Sequence, residues 1–94
     1  MEIRDIWLTQ SKLNRAGQIP GMIKTLEDDW LPAITLGRLE DGSIQVEDGH
    51  HRLTAIWLSG RQKLEPWEYI LIESDRWRPR RGKIEILEQW LSLV

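Results

Sequence analysis

The chain alternates short β-type runs with helical runs, and proline and glycine stand at most of the boundaries between them. Runs of β-branched, aromatic and other apolar residues predict strands over residues 3–8, 34–39, 43–47 and 67–73. Apolar residues recur at helical spacing within residues 19–30, 50–59 and 84–94. This alternation predicts the order β-α-β-β-α-β-α, which defines one α/β domain (mixed α+β) with a small mixed sheet.

Particular residues predict how these elements begin and end. Pro20 suits the first turn of a helix, where its missing N–H is not needed, and Pro32 is expected to end that helix. Residues 40–42, Glu-Asp-Gly, predict a hairpin because glycine accepts a positive φ. Gly60 predicts the end of the second helix. The 67–73 run, WEYILIE, is the best candidate for a central strand.

Length and composition exclude several classes of protein. With 94 residues the chain has room for one domain with a modest core. It has no cysteine, which excludes disulfides, zinc–thiolate sites, iron–sulfur clusters and thiol catalysis. Neither a membrane-length apolar run nor a signal-peptide core is present, so we predict a cytoplasmic protein without a membrane partner.

Tryptophan supplies most of the aromatic residues: the chain has six Trp, one Tyr and no Phe. Five of the six tryptophans are expected at core or half-core positions, namely Trp7, Trp30, Trp57, Trp67 and Trp90. The wide apolar stripe of residues 84–94 either covers the sheet or joins two copies in a homodimer.

The charge of the chain is divided unevenly. The net charge is -2, but residues 76–83, RWRPRRGK, hold five of the 13 basic residues and none of the 15 acidic ones. This basic segment is either a solvated loop that offsets the acidic remainder or a nucleic-acid contact. The nucleic-acid interpretation would use Arg76, Trp77, Arg78, Arg80, Arg81 and Lys83.

A predicted strand runs directly into a predicted helix at residues 47–52, Glu-Asp-Gly-His-His-Arg. Asp48 is a good N-cap residue, and Gly49 permits a tight turn and close approach of another group. A positive charge in the first turn opposes the helix dipole and costs about 0.3–1 kcal/mol. A cation cluster there makes sense if a phosphate binds the helix start through backbone N–H groups and the fork of Arg52.

Two other interpretations of this junction stay open. In the first, Arg52 pairs with Glu47 or another acid while the histidines serve as half-buried packing residues. The second, a metal site built from Asp48, His50 and His51, is disfavoured, because adjacent histidines on a helix point about 100° apart and chelate one ion poorly.

The run VEDGHHRLTAIWLSG, residues 46–60, resembles the signature of the ParB/sulfiredoxin superfamily. The order of the surrounding elements is similar over residues 3–73, which leaves the loop 74–83 and the C-terminal helix 84–94 outside the resemblance. The resemblance implies a nucleotide-binding domain that holds phosphates at this helix start. Sulfiredoxins use ATP, ParB proteins use CTP, some stand-alone members phosphorylate free serine, and the label ParB-like nuclease is also in use. ATP, ADP or CTP is therefore the implied ligand, with Mg²⁺ as a potential companion.

The resemblance carries over only in part when it is followed residue by residue. Sulfiredoxins have Gly-Cys-His-Arg at the helix start, so Gly49, His51 and Arg52 match, while His50 replaces the catalytic cysteine and excludes sulfiredoxin chemistry. Of the Lys, Ser and Thr that the preceding sulfiredoxin helix offers to the nucleotide, only the Thr is kept, as Thr25. ParB proteins have Gly-Glu-Arg-Arg, of which Gly49 and Arg52 are kept. The serine kinases share DGHHR, but their catalytic glutamate has no counterpart, because residues 9–19 contain no acid.

We therefore expect a domain that binds a nucleotide or another phosphate ligand. Phosphotransfer or nucleotide hydrolysis stays open, with Glu47, Asp48 and His50 as candidate catalytic groups. The alternatives are a nucleic-acid-binding module that uses the basic segment and a non-catalytic accessory protein. The expected binding residues are Asp48, Gly49, His50, His51 and Arg52, with Thr25 from the preceding helix.

Overall fold

A mixed four-stranded sheet forms the centre of the computed structural model, which describes residues 1–10, 12–75 and 78–86. The strands are β1 (Ile6–Trp7), β2 (Ile34–Arg38), β3 (Ile44–Asp48) and β4 (Tyr69–Glu73). Their order across the sheet is β1-β3-β2-β4. The helices are α1 (Ile19–Asp28) and α2 (His50–Leu58), and short 3-10 turns lie at Ile3–Asp5, Ala16–Gln18 and Pro66–Glu68. This architecture confirms the predicted mixed α/β class.

Strand directions bring two carboxyl ends to one edge of the sheet. β1 runs parallel to β3, and β2 runs antiparallel to β3 and parallel to β4. β1 and β3 therefore end on the same side of the domain, and α2 begins directly after β3. Ligands of open α/β sheets commonly bind beyond the carboxyl ends of strands.

One apolar cluster connects the sheet to α2. It includes Ile6 of β1, Ile34 and Leu36 of β2, Val46 of β3 and Leu53 of α2, all with side chains that are fully buried. Leu26 of α1 packs against this cluster while partly exposed. The cluster fixes the position of α2 on the sheet.

No helix among the described residues has the length and apolar character needed to cross a membrane.

The hairpin and both helix starts are confirmed. β2 and β3 are joined by a tight turn in which the Gly42 N–H donates to the Leu39 carbonyl over 2.9 Å, and Gly42 has a φ of 85°. Pro20 lies in the first turn of α1. α2 ends at Leu58, and Gly60 follows with a φ of 99°, as expected for a glycine that stops a helix.

Two predicted strands differ from the structure. The first is shorter, because residues 3–5 form a 3-10 turn in which the Ile6 N–H donates to the Ile3 carbonyl. The run 67–73 is not central: β4 begins at Tyr69 and lies at the edge of the sheet, beside β2. Its apolar side chains alternate between the two faces, so Ile70 is 56% exposed while Leu71 packs against the core.

Two tryptophan predictions are wrong. Trp30 was predicted to lie on the apolar face of α1, but α1 ends at Asp28, so Trp30 lies outside the helix and is 72% exposed. Trp67 is 73% exposed because it lies in the 3-10 turn that precedes β4 rather than in the strand. Trp7 and Trp57 are half-buried, as expected. The prediction for Trp90 and most of the predicted C-terminal helix lie outside the described residues, although residues 84–86 are helical.

The turn between β3 and α2 depends on Gly49. This residue has a φ of 110° and is itself the N-cap of α2, with no side-chain capping bond. A Cβ atom at this position would lie 3.1 Å from Arg52 Nη2 and 3.2 Å from two atoms of Ile34. The expected N-cap role of Asp48 is therefore wrong, because Asp48 is the last residue of β3 and the cap falls one residue later.

We predict that Gly49→Ala destabilises the protein by about 1–3 kcal/mol, since alanine must adopt a left-handed conformation in a crowded position. Urea denaturation measures the change in the free energy of unfolding. Gly21→Ala is the control, because Gly21 lies in α1 and a Cβ atom added there would meet no atom within 4 Å. That variant should gain stability, and equal stability of Gly49→Ala and the wild type would contradict the assigned turn.

Candidate functional site

A polar pocket of about 280 Å³ opens at the start of α2. Its walls come from the segment that follows β1, from the start of α1 and from the β3–α2 junction. It is lined by Gln10, Asn14, Arg15, Gln18, Met22 and residues 47–52. The structure thus brings the whole predicted Glu47–Arg52 constellation to one pocket.

The residues of the first turn of α2 line this pocket. The first helical hydrogen bond of α2 runs from the Leu53 N–H to the Gly49 carbonyl over 2.9 Å. The N–H groups of residues 49–52 therefore have no acceptor in α2, as at any helix N-terminus. Together with the helix dipole they create a partial positive charge that favours an anion.

Arg52 connects the start of α2 to two other segments. Its Nη1 lies 3.3 Å from the carbonyl oxygens of both Pro32 and Ala33, and its Nη2 donates to Asp48 Oδ2 over 3.0 Å. The side chain is only 18% exposed, whereas that of Asp48 is 79% exposed. Arg52 is therefore held under the turn by three oxygen atoms, as in the interpretation in which it pairs with an acid.

His50 is buried and receives a hydrogen bond from the end of β1. The Thr9 N–H donates to His50 Nε2 over 3.0 Å, and the Thr9 hydroxyl donates to the Val46 carbonyl over 2.8 Å. Burial lowers the pKa of His50 to about 4, and the charges of His51 and Arg78 act in the same direction while Asp48 opposes them. His50 is therefore neutral near pH 7, and it fixes β1 against the start of α2.

His51 joins α2 to the segment before α1. The Arg15 N–H donates to His51 Nε2 over 3.1 Å, and His51 is half-buried at the pocket wall. Burial, and after it the charge of Arg15, lowers the pKa of His51. An unprotonated His51 can keep accepting the Arg15 N–H, which holds that residue at the pocket.

Arg15 is the charged residue at this site that the sequence analysis missed. Its side chain is exposed, lines the pocket and forms no ion pair with any described residue. A signal was present, because Arg15 and Lys12 are the only charged residues of the 9–19 segment. Their position after β1 places that segment at the edge where α2 begins.

Glu47 lines the pocket but is already held by other groups. β3 carries a bulge at this residue, since Thr35 pairs with Asp48 and Leu36 with Val46. Gln45 donates to Glu47 Oε1 over 2.8 Å, and Arg78 Nε lies 2.8 Å from Oε2. Burial acts to raise the pKa of Glu47, but bonds from Gln45 and Ser74 and the charge of Arg78 outweigh it and lower the pKa.

Thr25 does not join the other predicted binding residues. It lies on the exposed surface of α1, its hydroxyl donates to the Gly21 carbonyl over 2.9 Å, and it does not line the pocket. A bond to the carbonyl four residues earlier is a common arrangement for a helical threonine.

The basic segment is largely attached to the body of the domain. Arg78 pairs with Glu47, Arg80 lies 4.7 Å from the centroid of the Trp7 ring, and the Lys83 ammonium lies 4.1 Å from the same centroid. Arg80 also contacts Asp41 and Ser43, and Lys83 donates to the Asp5 carbonyl. Arg81 is exposed, and Arg76 and Trp77 lie outside the described residues.

A wider depression of about 960 Å³ lies at the carboxyl ends of β2 and β4, away from the start of α2. Its arginines are already paired, Arg38 with Glu73 and Arg80 with Asp41. Glu40 and Asp75 add further negative charge, so this surface repels a phosphate. This depression is larger than the pocket at the start of α2, but its charge makes it the weaker candidate for a phosphate site.

The comparisons with family models, curated proteins and solved structures found no match to this chain. Within the described ranges, no group of three or more His, Asp or Glu residues could hold a metal ion. Asp48, His50 and His51 are therefore not arranged as a metal centre.

We predict that His50 makes stability depend on pH. Its pKa is about 4 in the folded protein and about 6.5 in the unfolded chain, so only the unfolded chain takes up this proton between those values. The free energy of unfolding should fall by on the order of 3 kcal/mol as the pH decreases from 6.5 to 4.

Urea denaturation between pH 7 and pH 4.5 measures this slope. The contribution should be absent in His50→Gln and retained in His51→Gln. An NMR titration of the two histidines gives a direct check, and a midpoint near 6.5 for His50 would contradict its assigned environment.

Proposed function

We propose that this protein binds a phosphate-bearing ligand, foremost a nucleotide, at the start of α2. The observation that carries the proposal is that the first residues of α2 and the exposed Arg15, whose charge acts on His51, line one polar pocket. Backbone N–H groups, a helix dipole and an arginine fork are the groups that proteins use to hold a phosphate.

The other polar side chains of the pocket support a ligand rather than a solvated surface. Gln10, Asn14 and Gln18 offer neutral donors and acceptors around Arg15. Such groups can bond the oxygens of a phosphate or the edge of an attached base. The pocket volume of about 280 Å³ suits a phosphate with part of a nucleoside.

Arg52 and His51 act in this proposal mainly by positioning. Arg52 fixes the turn that presents the amides, and His51 holds the backbone of Arg15. Arg52 also adds positive charge beneath the helix start, reduced by Asp48. Because Gly49 has no side chain, the guanidinium of Arg52 can lie close to the turn.

Binding is better supported than catalysis. Each candidate catalytic group is engaged within the protein: Glu47 by Gln45 and Arg78, Asp48 by Arg52, and His50 by the Thr9 amide. A general base must lie within hydrogen-bond reach of the proton that it removes, and the Thr9 amide already occupies the basic ring nitrogen of His50. We therefore propose a binding domain, and membership of the ParB/sulfiredoxin superfamily is proposed with it, on the strength of the 46–60 run.

Nucleic-acid binding is the second candidate, and Arg81 is the described residue of the basic segment that favours it. Binding to duplex DNA through n phosphates would make the logarithm of the affinity fall with the logarithm of salt with a slope of about 0.9n. Filter binding at 50 and 200 mM salt would detect this. A folded domain that binds neither nucleotide nor nucleic acid would instead support the accessory-protein alternative.

We predict that Arg15→Ala weakens nucleotide binding by about tenfold, because the variant loses a charge-assisted contact worth about 1.4 kcal/mol. Isothermal titration calorimetry with ATP, ADP and CTP measures the dissociation constants. Arg4→Ala is the matched control, since Arg4 is exposed in the 3-10 turn at Ile3–Asp5 and does not line this pocket.

The two ways in which this experiment can fail have different meanings. If none of the three nucleotides binds the wild type, the proposed function is wrong. If they bind and Arg15→Ala behaves as Arg4→Ala does, the ligand lies elsewhere on the protein.

A further inference from the structure

A second small pocket adjoins the first on the side of β1. It has a volume of about 310 Å³ and is lined by Thr9, Gln10, Lys12, Asn14 and Arg81. Gln10 and Asn14 line both pockets, so the two share a wall. A ligand bound at the start of α2 could therefore extend across these two amide side chains.

The charged residues of this second pocket are both cations. Lys12 and Arg81 are exposed, and neither forms an ion pair within the part of the chain that the structure describes. Its described lining includes no acidic residue. Two cations in a lining without an acidic residue favour an anionic group there.

The backbone explains why Arg81 differs from its neighbour Arg80. The Arg81 N–H donates to the Leu8 carbonyl, and the Leu8 N–H donates to the Gly82 carbonyl, both over 2.8 Å. This pairing fixes the segment beside the end of β1. The side chain of Arg80 lies over Trp7, whereas Arg81 is exposed and lines the pocket with Lys12.

We propose that Lys12 and Arg81 form a second phosphate subsite and that the ligand is a small polyphosphate, such as a nucleoside triphosphate. One phosphate occupies the start of α2 with Arg15, and a later phosphate of the same chain reaches Lys12 and Arg81. This inference rests on the proposed function. It deepens that function, because a second subsite would let the protein distinguish a ligand with several phosphates from one with a single phosphate.

Size and charge favour a small ligand over a nucleic-acid strand. Each pocket has a volume near 300 Å³, and the pair together falls within the range of small-molecule sites. Outside the basic segment the chain has eight basic and 15 acidic residues, an excess of negative charge that disfavours a long polyanion. Arg78, Arg80 and Lys83 are already used by the fold.

The test compares AMP, ADP and ATP by isothermal titration calorimetry in buffer with EDTA. The wild type should bind ATP at least tenfold more tightly than AMP. Arg81→Ala should reduce this ratio to about threefold or less, chiefly by weakening the binding of ATP. Arg81→Lys, which keeps the charge, should retain most of the ratio, and the control Arg4→Ala should retain all of it.

Each other outcome contradicts a particular statement. Binding of all three nucleotides with equal affinity, or an ATP:AMP ratio that Arg81→Ala leaves intact, overturns the second subsite while the proposed function stands. Failure of every nucleotide to bind overturns both. Tighter binding of 5′-phosphorylated tetrathymidylate than of ATP overturns the assignment to a small polyphosphate.

Discussion

The guanidinium of Arg52 is the contact on which the candidate site depends. It joins the carbonyls of residues 32–33, the carboxylate of Asp48 and the first turn of α2 under a glycine that leaves room for it. With His50 bonded to Thr9 and His51 to Arg15, the segments around the pocket are tied to the start of α2. The residues that were expected to bind the ligand thus build the pocket, and the helix-start amides and Arg15 are the groups that we propose to bind phosphate.

The basic residues divide into structural and exposed groups by their partners. Arg78 offsets the buried charge of Glu47, and Arg80 and Lys83 pack on Trp7, where cation–π contacts are worth about 0.5–2 kcal/mol each. Arg15, Lys12 and Arg81 have no such partner among the described residues, and all three line the two adjoining pockets. Three unpaired cations therefore lie together at these two pockets, although the net charge of the whole chain is -2.

Local patterns were enough to predict most of the fold. Helical spacing, Pro20 and Gly60 predicted α1 and α2, and Gly42 predicted the β2–β3 hairpin, because each depends on neighbouring residues. The edge position of β4 and the exposure of Trp30 and Trp67 depend on pairing with distant strands and on where elements end. The residues of the junction were predicted as a group, but their partners were not. Arg15 was missed because its role comes from contact with α2, 36 positions away along the chain.

The most direct measurement is a ¹H–¹⁵N NMR titration of the protein with ATP, and with inorganic phosphate as a smaller probe. Phosphate held at the start of α2 should produce the largest amide shifts at Gly49, His50, His51 and Arg52, with smaller shifts at Arg15. ATP should add shifts at Lys12 and Arg81 that inorganic phosphate does not produce. Shifts centred on another surface, or no shift at residues 49–52 with either ligand, would contradict a phosphate site at this helix start.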